Sequence, residues 1–363
     1  MFTAPDYSYM SHALRLAEKG MFTTSPNPRV GCVIVNNGKV VGTGWHERAG
    51  EPHAEVHALR EAGNQARGAT VYVTLEPCSH YGRTPPCVDT LIEAGVGKVV
   101  MAVDDPAPHV NGQGKKKLQA AGIEVQSGLL ADEAGELNIG FMTRMHAGRP
   151  WVRTKIAASL DGKTALNNGK SQWITNEPAR RDGHKWRARS CAVLTGIGSV
   201  KKDDPLLTVR HIESSRQPVR VVVDSNLEMP LQARLLHNAD TVWIFTVHTG
   251  REKIHRLEDA GAHVVVLPDV SGRVDLKAMM MKLAEQEINE LLVEAGSVLN
   301  GALVAAGLID EIIFYFAPCL LGDSARGMLT LPEISDLSGK QALKITDIRT
   351  IGADIRLVAR FLK

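Results

Sequence analysis

The sequence contains no apolar run near the roughly 18 residues needed to cross a bilayer, no internal repeat and no low-complexity tract. Met1 to Met10 carries Asp6 and lacks the basic region and apolar core of a secretory leader, so a cytoplasmic protein is expected. Charge of one sign is missing too. Forty-two basic residues against 40 acidic ones give a net charge of +2, which with the absence of an aromatic-basic tract speaks against a nucleic-acid or membrane partner. Lys115-Lys116-Lys117 reads as the solvated face of a helix. Cysteine is scarce: five residues, odd in number and widely spaced, speak against a disulfide framework.

What is present is the composition of a soluble enzyme, 44% hydrophobic and 23% charged over 363 residues, long enough for two domains. Met10, Leu14 and Ala17 share a helical face within 7–20. Strands are expected at 30–35 and 40–44, joined by the hairpin signal Asn37-Gly38. A helix follows at 54–62, a strand at 70–75, a helix at 88–94, a strand at 98–103, a helix at 115–121 and a strand at 123–125. Residues 145–150, with Gly148 and Pro150, read as a linker. Beyond it, strands at 152–157, 192–195, 219–223, 242–246, 263–267, 291–294 and 312–316 alternate with helices near 178–189, 251–260, 275–287 and 297–306. That alternation argues an open, mostly parallel sheet. The fold class is α/β in both halves, divided at 1–147 and 148–363.

His53-Ala54-Glu55, then Pro77-Cys78, then Cys87 carry the chemistry. One imidazole and two thiolates leave the fourth tetrahedral position of a zinc ion to water, while a nearby Glu moves protons. The H-x-E and P-C pattern marks zinc nucleobase deaminases, although eight residues separate Cys78 from Cys87 in place of the usual two. His53 and Glu55 are expected at the start of one helix and Cys78 near the start of another, where amides favour a thiolate. Glu55 is expected on a different side of its helix from His53, as acid/base and not ligand. A fourth protein ligand, His57 or His80, would instead close the site into a structural one.

Thr24-Ser25-Pro26-Asn27-Pro28, Gly44-Trp45-His46, Glu51-Pro52-His53-Ala54-Glu55 and the stretch from Thr74 to Cys87 closely resemble the bifunctional riboflavin-biosynthesis deaminase–reductase family. The resemblance continues through Ala158-Ser159-Leu160-Asp161-Gly162, Ser171-Gln172-Trp173, Asp203 to Arg210 and Val293-Glu294-Ala295-Gly296, covering essentially the whole chain. It implies a cytidine-deaminase-like α/β/α sandwich followed by a dihydrofolate-reductase-like α/β domain. It implies two reactions as well: zinc-dependent deamination of 2,5-diamino-6-ribosylamino-4(3H)-pyrimidinone 5′-phosphate, then NADPH reduction of the ribosyl group to ribityl. One zinc and one NADPH per chain, and a homodimer formed through the reductase half, are expected. The alternative is a zinc nucleobase or nucleoside deaminase with a non-catalytic C-terminal half.

By the same resemblance Asn27, His46, His80 and Arg83 would touch the deaminase substrate. Ala107 stands where the family has an amide side chain. Ser171, Arg187, Leu207, Arg210 and Glu294 would touch the reductase substrate, with Arg187 and Arg210 suited to its phosphate. Lys155 would assist proton transfer. Ala157, Trp173, Ser199, Asp203, Ser225 and the segment Gly296, Ser297, Val298, Leu299, Asn300, Gly301 and Ala302 would line the NADPH site. Gly296 to Ala302 follows an expected strand and opens an expected helix, offering amides to a pyrophosphate. Gly196 to Lys201 begins like a dinucleotide fingerprint but lacks its third glycine.

Overall fold

The computed structural model describes residues 1–79, 85–107, 111–237 and 242–362. The chain forms two compact units, Met1–Gly148 and Arg149–Lys363.

The first unit runs α1 (Ala4–Glu18), β1 (Gly31–Asn36), β2 (Lys39–Trp45), α2 (Ala54–Ala62), β3 (Thr70–Val73), α3 (Cys87–Glu93), β4 (Lys98–Met101), α4 (Gln113–Ala120), β5 (Glu124–Ser127), α5 (Ala131–Leu137) and α6 (Ile139–Ala147). Its sheet has the order β2-β1-β3-β4-β5, antiparallel from β2 through β1 to β3 and parallel from β3 to β5. Strand side chains alternate between faces, so Cys32 and Ile34 of β1 join a core with Ala54, Ala58, Val88 and Leu118 from α2, α3 and α4. Val33 and Val35 join the opposite core with Met10, Ala13, Ala134 and Leu137 from α1 and α5. The result is a sheet covered by helices on both faces.

Glycines set how closely those helices lie. A Cβ on Gly31 would fall 1.9 Å from Ala13 O, and one on Gly44 2.2 Å from Ala54 O. The second contact seats the start of α2 directly on β2. At the hairpin tip Asn37 (φ 50) and Gly38 (φ 74) take the two left-handed positions that such a turn requires.

The second unit runs β6 (Trp151–Ser159), β7 (Lys163–Ala165), α7 (Glu177–Arg189), β8 (Ala192–Gly196), α8 (Ile197–Asp203), β9 (Val219–Val223), β10 (Val242–Thr246), α9 (Arg251–Asp259), β11 (Ala262–Val266), α10 (Leu276–Glu285), β12 (Glu290–Val293), α11 (Ser297–Ala305), β13 (Glu311–Ala317), β14 (Arg326–Gly327), β15 (Leu343–Ile351) and β16 (Asp354–Phe361). Nine strands lie in the order β11-β10-β9-β8-β12-β6-β13-β16-β15. They are parallel from β11 to β13, and β16 and β15 add an antiparallel hairpin. Leu291 and Val293 of β12 face the core beneath α10 and α11. Leu292 faces the other side, with Ala179 of α7, Val193 and Ile313. The carboxyl ends of the parallel strands form one edge of the sheet, the usual place for a ligand in such folds.

Several expectations need correcting. α1 begins at Ala4, because Thr3 and Asp6 form a capping box. The expected linker is only 148–150, since α6 runs to Ala147 and β6 opens at Trp151. The β15–β16 hairpin was not foreseen. Arg189 of α7 is paired with buried Glu290 at 2.8 Å. Glu290 also meets fully buried Arg153, whose other partner is Glu311 at 2.5 Å.

Candidate active sites

In the first unit, the segments carrying His53, Cys78 and Cys87 converge at the ends of α2, β3 and α3. His53 is the N-cap of α2, with extended backbone. Its Nδ1 lies 3.2 Å from Cys87 Sγ and 3.5 Å from Cys78 Sγ, and the three donor atoms all fall within 4.8 Å of one another. Ligands held 2.0–2.3 Å from a tetrahedral centre lie about 3.5 Å apart, so the triad fits zinc. It is the one such group among the described residues.

The helix near Cys78 begins later than expected. Cys78 sits in the loop, and α3 starts at Cys87, whose backbone N–H donates to Cys78 Sγ at 3.2 Å. The amide expected from Cys78's own helix therefore comes from Cys87's. Within the triad, hydrogen bonding from Cys87 and then from His53 pulls the Cys78 thiol down to about 4. The bond to Cys78 holds the His53 imidazole up at about 9, and the Cys87 thiol is pushed up, chiefly as donor to Cys78.

Glu55 lies beside this group in the first turn of α2, 3% exposed. Its Oε2 is buried with no hydrogen-bond partner, and burial raises its carboxyl above the usual range. Because His53 is a cap and not a helical residue, the expected angle around the helix does not apply. Glu55 follows the cap and lies in contact with the Cys87 thiol. His57, the rival ligand, stands outside the triad with Nε2 buried and unpartnered. His80 and Arg83 lie outside the described residues.

His46 and Asn27 form a couple next to His53. His46 Nδ1 is 3.2 Å from Pro52 O and its Nε2 is 3.1 Å from Asn27 Nδ2. A proton on Nδ1 leaves Nε2 to accept from the amide, and burial keeps this imidazole below its ordinary pKa. The His46 ring meets that of His53 edge-on, centroids 5.2 Å apart. A residue the sequence reading passed over, Glu76, is 3% exposed and accepts from the N–H groups of Asp105 (3.1 Å), Gly112 (3.0 Å) and Lys115 (3.2 Å). Ala107 is buried and gives its N–H to Asp105 Oδ1 at 2.8 Å.

The second unit gathers its polar residues along the carboxyl edge of the sheet. Glu294 follows β12 and receives Arg187 from α7, Nε to Oε1 at 2.5 Å and Nη2 to Oε2 at 3.1 Å. Lys155 Nζ on β6 stands 3.7 Å from the same carboxylate. Arg187 Nη1 donates to Thr208 O at 2.9 Å. Of its five N–H donors three are thus engaged, a pairing that sequence alone does not announce. Arg210 Nη1 donates to Thr208 Oγ1 at 3.1 Å; burial, then repulsion from Arg187 and Arg234, lowers its pKa. Leu207, with φ 54, buries its side chain among Ala179, Val193 and Leu292. Ser171 is half-buried near Lys202, Nζ to Oγ 3.5 Å.

Gly296 caps α11 at the end of β12 and has nothing within 4 Å of its missing Cβ. Ser199 lies in α8 after β8, and Ser225 lies after β9. Trp173 is 69% exposed, with the Arg180 guanidinium 4.6 Å from its ring, and Val298 is 67% exposed. An open glycine, helix-start amides and bare apolar surface on one edge fit a dinucleotide. Asn300 and Gly301 face inward instead. Asn300 bonds Thr154 Oγ1 and Ala295 O, both at 3.1 Å, and a Cβ on Gly301 would lie 2.0 Å from Thr330 O.

A zinc-dependent deaminase joined to an NADPH-dependent reductase is the class these features define. Residues 4–103 match the cytidine and deoxycytidylate deaminase zinc-binding region, and residues 150–357 match the RibD C-terminal domain. The chain belongs to the RibD family, the bifunctional deaminase–reductases of riboflavin biosynthesis. It is 49% identical to riboflavin biosynthesis protein RibD of Escherichia coli K12, covering 97% of this chain and 98% of that one. It is also 42% identical to RibD of Aquifex aeolicus over 96% and 97% of the two chains. Among solved structures it resembles Acinetobacter baumannii RibD, form 1, with TM-score 0.93, 44% identity and 99% of each chain covered. A diaminohydroxyphosphoribosylaminopyrimidine deaminase/5-amino-6-(5-phosphoribosylamino)uracil reductase of Thermotoga maritima gives TM-score 0.87 at 33% identity, again over 99% of each.

Proposed function

We propose that His53, Cys78 and Cys87 hold the zinc and that Glu55 is the acid/base of the deaminase. The substrate is taken to be the phosphorylated diaminopyrimidinone named for the Thermotoga protein. The observation that carries the reading is the buried, unpartnered Oε2 of Glu55 beside three converging soft donors. Zinc, when bound, acidifies water for attack on the amine-bearing ring carbon. Glu55, kept protonatable by burial, takes the first proton of the attacking water at Oε2 and gives it to the ring nitrogen. It then carries the second, from the added hydroxyl, to the amine as the carbonyl forms and ammonia departs. Asn27 and His46 orient the ring through their shared hydrogen bond; His80 and Arg83 are assigned to the same substrate. Glu55→Gln should slow ammonia release by about 10²- to 10⁴-fold and leave the zinc content at one per chain. Loss of the metal in that variant would make Glu55 a ligand and sink the assignment.

In the second unit, NADPH is assigned to Ala157, Trp173, Ser199, Asp203, Ser225 and the amides from Gly296 through Val298, with Leu299 and Ala302 behind them. Asn300 and Gly301 then shape the loop from within. Arg210 and the two remaining N–H groups of Arg187 are assigned to the substrate phosphate, a role supported by the mutual repulsion of this cationic group. Ser171, Leu207 and Glu294 complete the substrate contacts. NADPH supplies the hydride when bound. Lys155 Nζ, held near Glu294, moves the proton to the opened sugar.

No helix among the described residues is long and apolar enough to cross a membrane. Five unpaired cysteines, Cys319 exposed, favour the reducing cytoplasm. A homodimer through the second unit is supported by its edge strand β15, where Leu343, Ile345 and Ile348 are 39%, 54% and 61% exposed. Sedimentation should give twice the chain mass, and charged substitutions at Ile345 and Ile348 should halve it.

A further inference from the structure

His53 and Cys87 take their places from helices, as the N-cap of α2 and the first residue of α3, whereas Cys78 lies in a loop. Its position therefore comes from whatever grips that loop. The carbonyls of residues 77–79 are each packed or bonded. Pro77 O lies so close to α4 that a Cβ on Gly114 would fall 2.4 Å from it. Cys78 O accepts the Val88 N–H of α3 at 3.2 Å. Ser79 O accepts Lys117 Nζ of α4 at 2.8 Å. One member of the lysine run expected on a solvated face thus reaches the metal-ligand loop.

Glu76 joins the same parts from within. Its N–H donates to Val103 O at 3.0 Å, just past the last β3–β4 pair, and its side chain turns into the interior. There Oε2 accepts from Asp105 and Gly112, and Oε1 from Lys115. Gly112 is the N-cap of α4, and no side chain at that position caps the helix. Helices are commonly capped by their own Ser, Asp or Asn. Here the two α4 amides are capped by a carboxylate 36 and 39 residues earlier in the chain. Burying a carboxylate is costly unless its oxygens are bonded, and a local cap would satisfy α4 at lower cost. What the distant carboxylate adds is a fixed spacing between the start of α4 and the residue two positions before Cys78, set by charge-assisted bonds. Residues 76, 77 and 79 are then all fastened to α4, on both sides of the ligand.

We propose that Glu76 is a positioning residue for the metal. Through α4 it holds the loop so that Cys78 Sγ faces His53 and Cys87 at coordination spacing, with Lys117 fastening the other side of the ligand. The inference rests on the reading of Cys78 as a zinc ligand.

The test is cobalt substitution and zinc release in the full-length protein, with Glu76→Gln, Lys117→Met and Cys78→Ser. Glutamine keeps the shape but turns an amide NH2 toward one of the N–H groups. Below its melting temperature by circular dichroism, Glu76→Gln should weaken and shift the near-ultraviolet thiolate-to-cobalt band. It should also bind zinc about 10- to 100-fold more weakly, the scale on which groups behind metal ligands act, seen as faster release to a chromogenic chelator. Lys117 is exposed, so Lys117→Met leaves the core intact. That variant should speed release about 3- to 10-fold, the scale of one lost hydrogen bond, and it decides alone if Glu76→Gln does not fold. A role in folding only would lower the melting temperature and leave the band and the release of the folded protein native; that result overturns the proposal. Cys78→Ser separates the proposal from its premise. If it keeps the native band, Cys78 is no ligand and the proposal falls with the premise. If it loses part of the band while the other two variants keep native band and release, the premise stands and the positioning role falls.

Discussion

Arg187 and Glu294, 107 residues apart, meet through two charge-assisted hydrogen bonds with their side chains 15% and 14% exposed. Burial alone would raise the Glu294 carboxyl, but Arg187 and then Lys155 outweigh it and hold it down at about 2. Arg187→Ala should therefore strand a carboxylate and destabilise the second unit by about 3 kcal/mol. In a Glu294→Gln background the same change should cost less by at least about 1 kcal/mol. Thermal unfolding of the four proteins gives the coupling; equal costs in both backgrounds would show the pair to be independent.

The pair also sets an acid limit. An unfolded Glu protonates near 4.5 while the folded one stays ionised to about 2. Its contribution is complete above about pH 4.5 and is lost as pH falls toward about 2. Glu294→Gln should flatten that part of the stability profile.

His184 sets a second pH dependence of the same direction. It is 7% exposed, its Nδ1 accepts the Arg210 N–H at 3.1 Å, and burial holds its pKa down at about 4. The unfolded chain binds this proton below about 6.5 and the folded one only below about 4. Stability from this group is constant above about pH 6.5, falls between about 6.5 and 4, and is level below. His184→Asn keeps an acceptor without titrating, so the difference in melting temperature between it and the native protein should change across that window. A constant difference would contradict the assignment.

Glu55→Gln should lower deamination by about 10²- to 10⁴-fold, the usual worth of a placed acid/base. Reduction of the already deaminated substrate should be unaffected, since Lys155 and Glu294 belong to the other unit. A fall in both rates would place Glu55 in the structure and not in the chemistry.

Two glycines in the first unit should respond oppositely to alanine. At Gly31 the new Cβ meets Ala13 O at 1.9 Å, and overpacking should cost about 1–3 kcal/mol or more. At Gly135, inside α5 with nothing within 4 Å, alanine should add about 0.5–1 kcal/mol. Chemical denaturation of both variants checks the pair.

The local grammar of the chain was readable in advance, and its long-range pairings were not. Asn37-Gly38, the helix opening at Ala54 and the convergence of His53, Cys78 and Cys87 follow from turn chemistry, capping and ligand type. The β15–β16 hairpin escaped notice because β15 is an exposed edge, where Lys344, Asp347 and Arg349 interrupt the apolar alternation. α3 starts at Cys87, within one residue of the helix expected at 88–94, whereas the helix start expected near Cys78 is a loop. Arg187 with Glu294, and Arg153 with Glu290 and Glu311, join residues more than 100 positions apart, so each side chain read alone looks like surface charge or a ligand. Burial turns them into partners.

The most direct measurement is one assay of the metal-loaded protein with the diaminopyrimidinone 5′-phosphate and NADPH, scoring ammonia and nicotinamide oxidation together. One NADPH should be consumed for each ammonia released, with the oxidation trailing the release. Ammonia without NADPH consumption, or oxidation that proceeds equally in Glu55→Gln, would contradict two consecutive active sites in this chain.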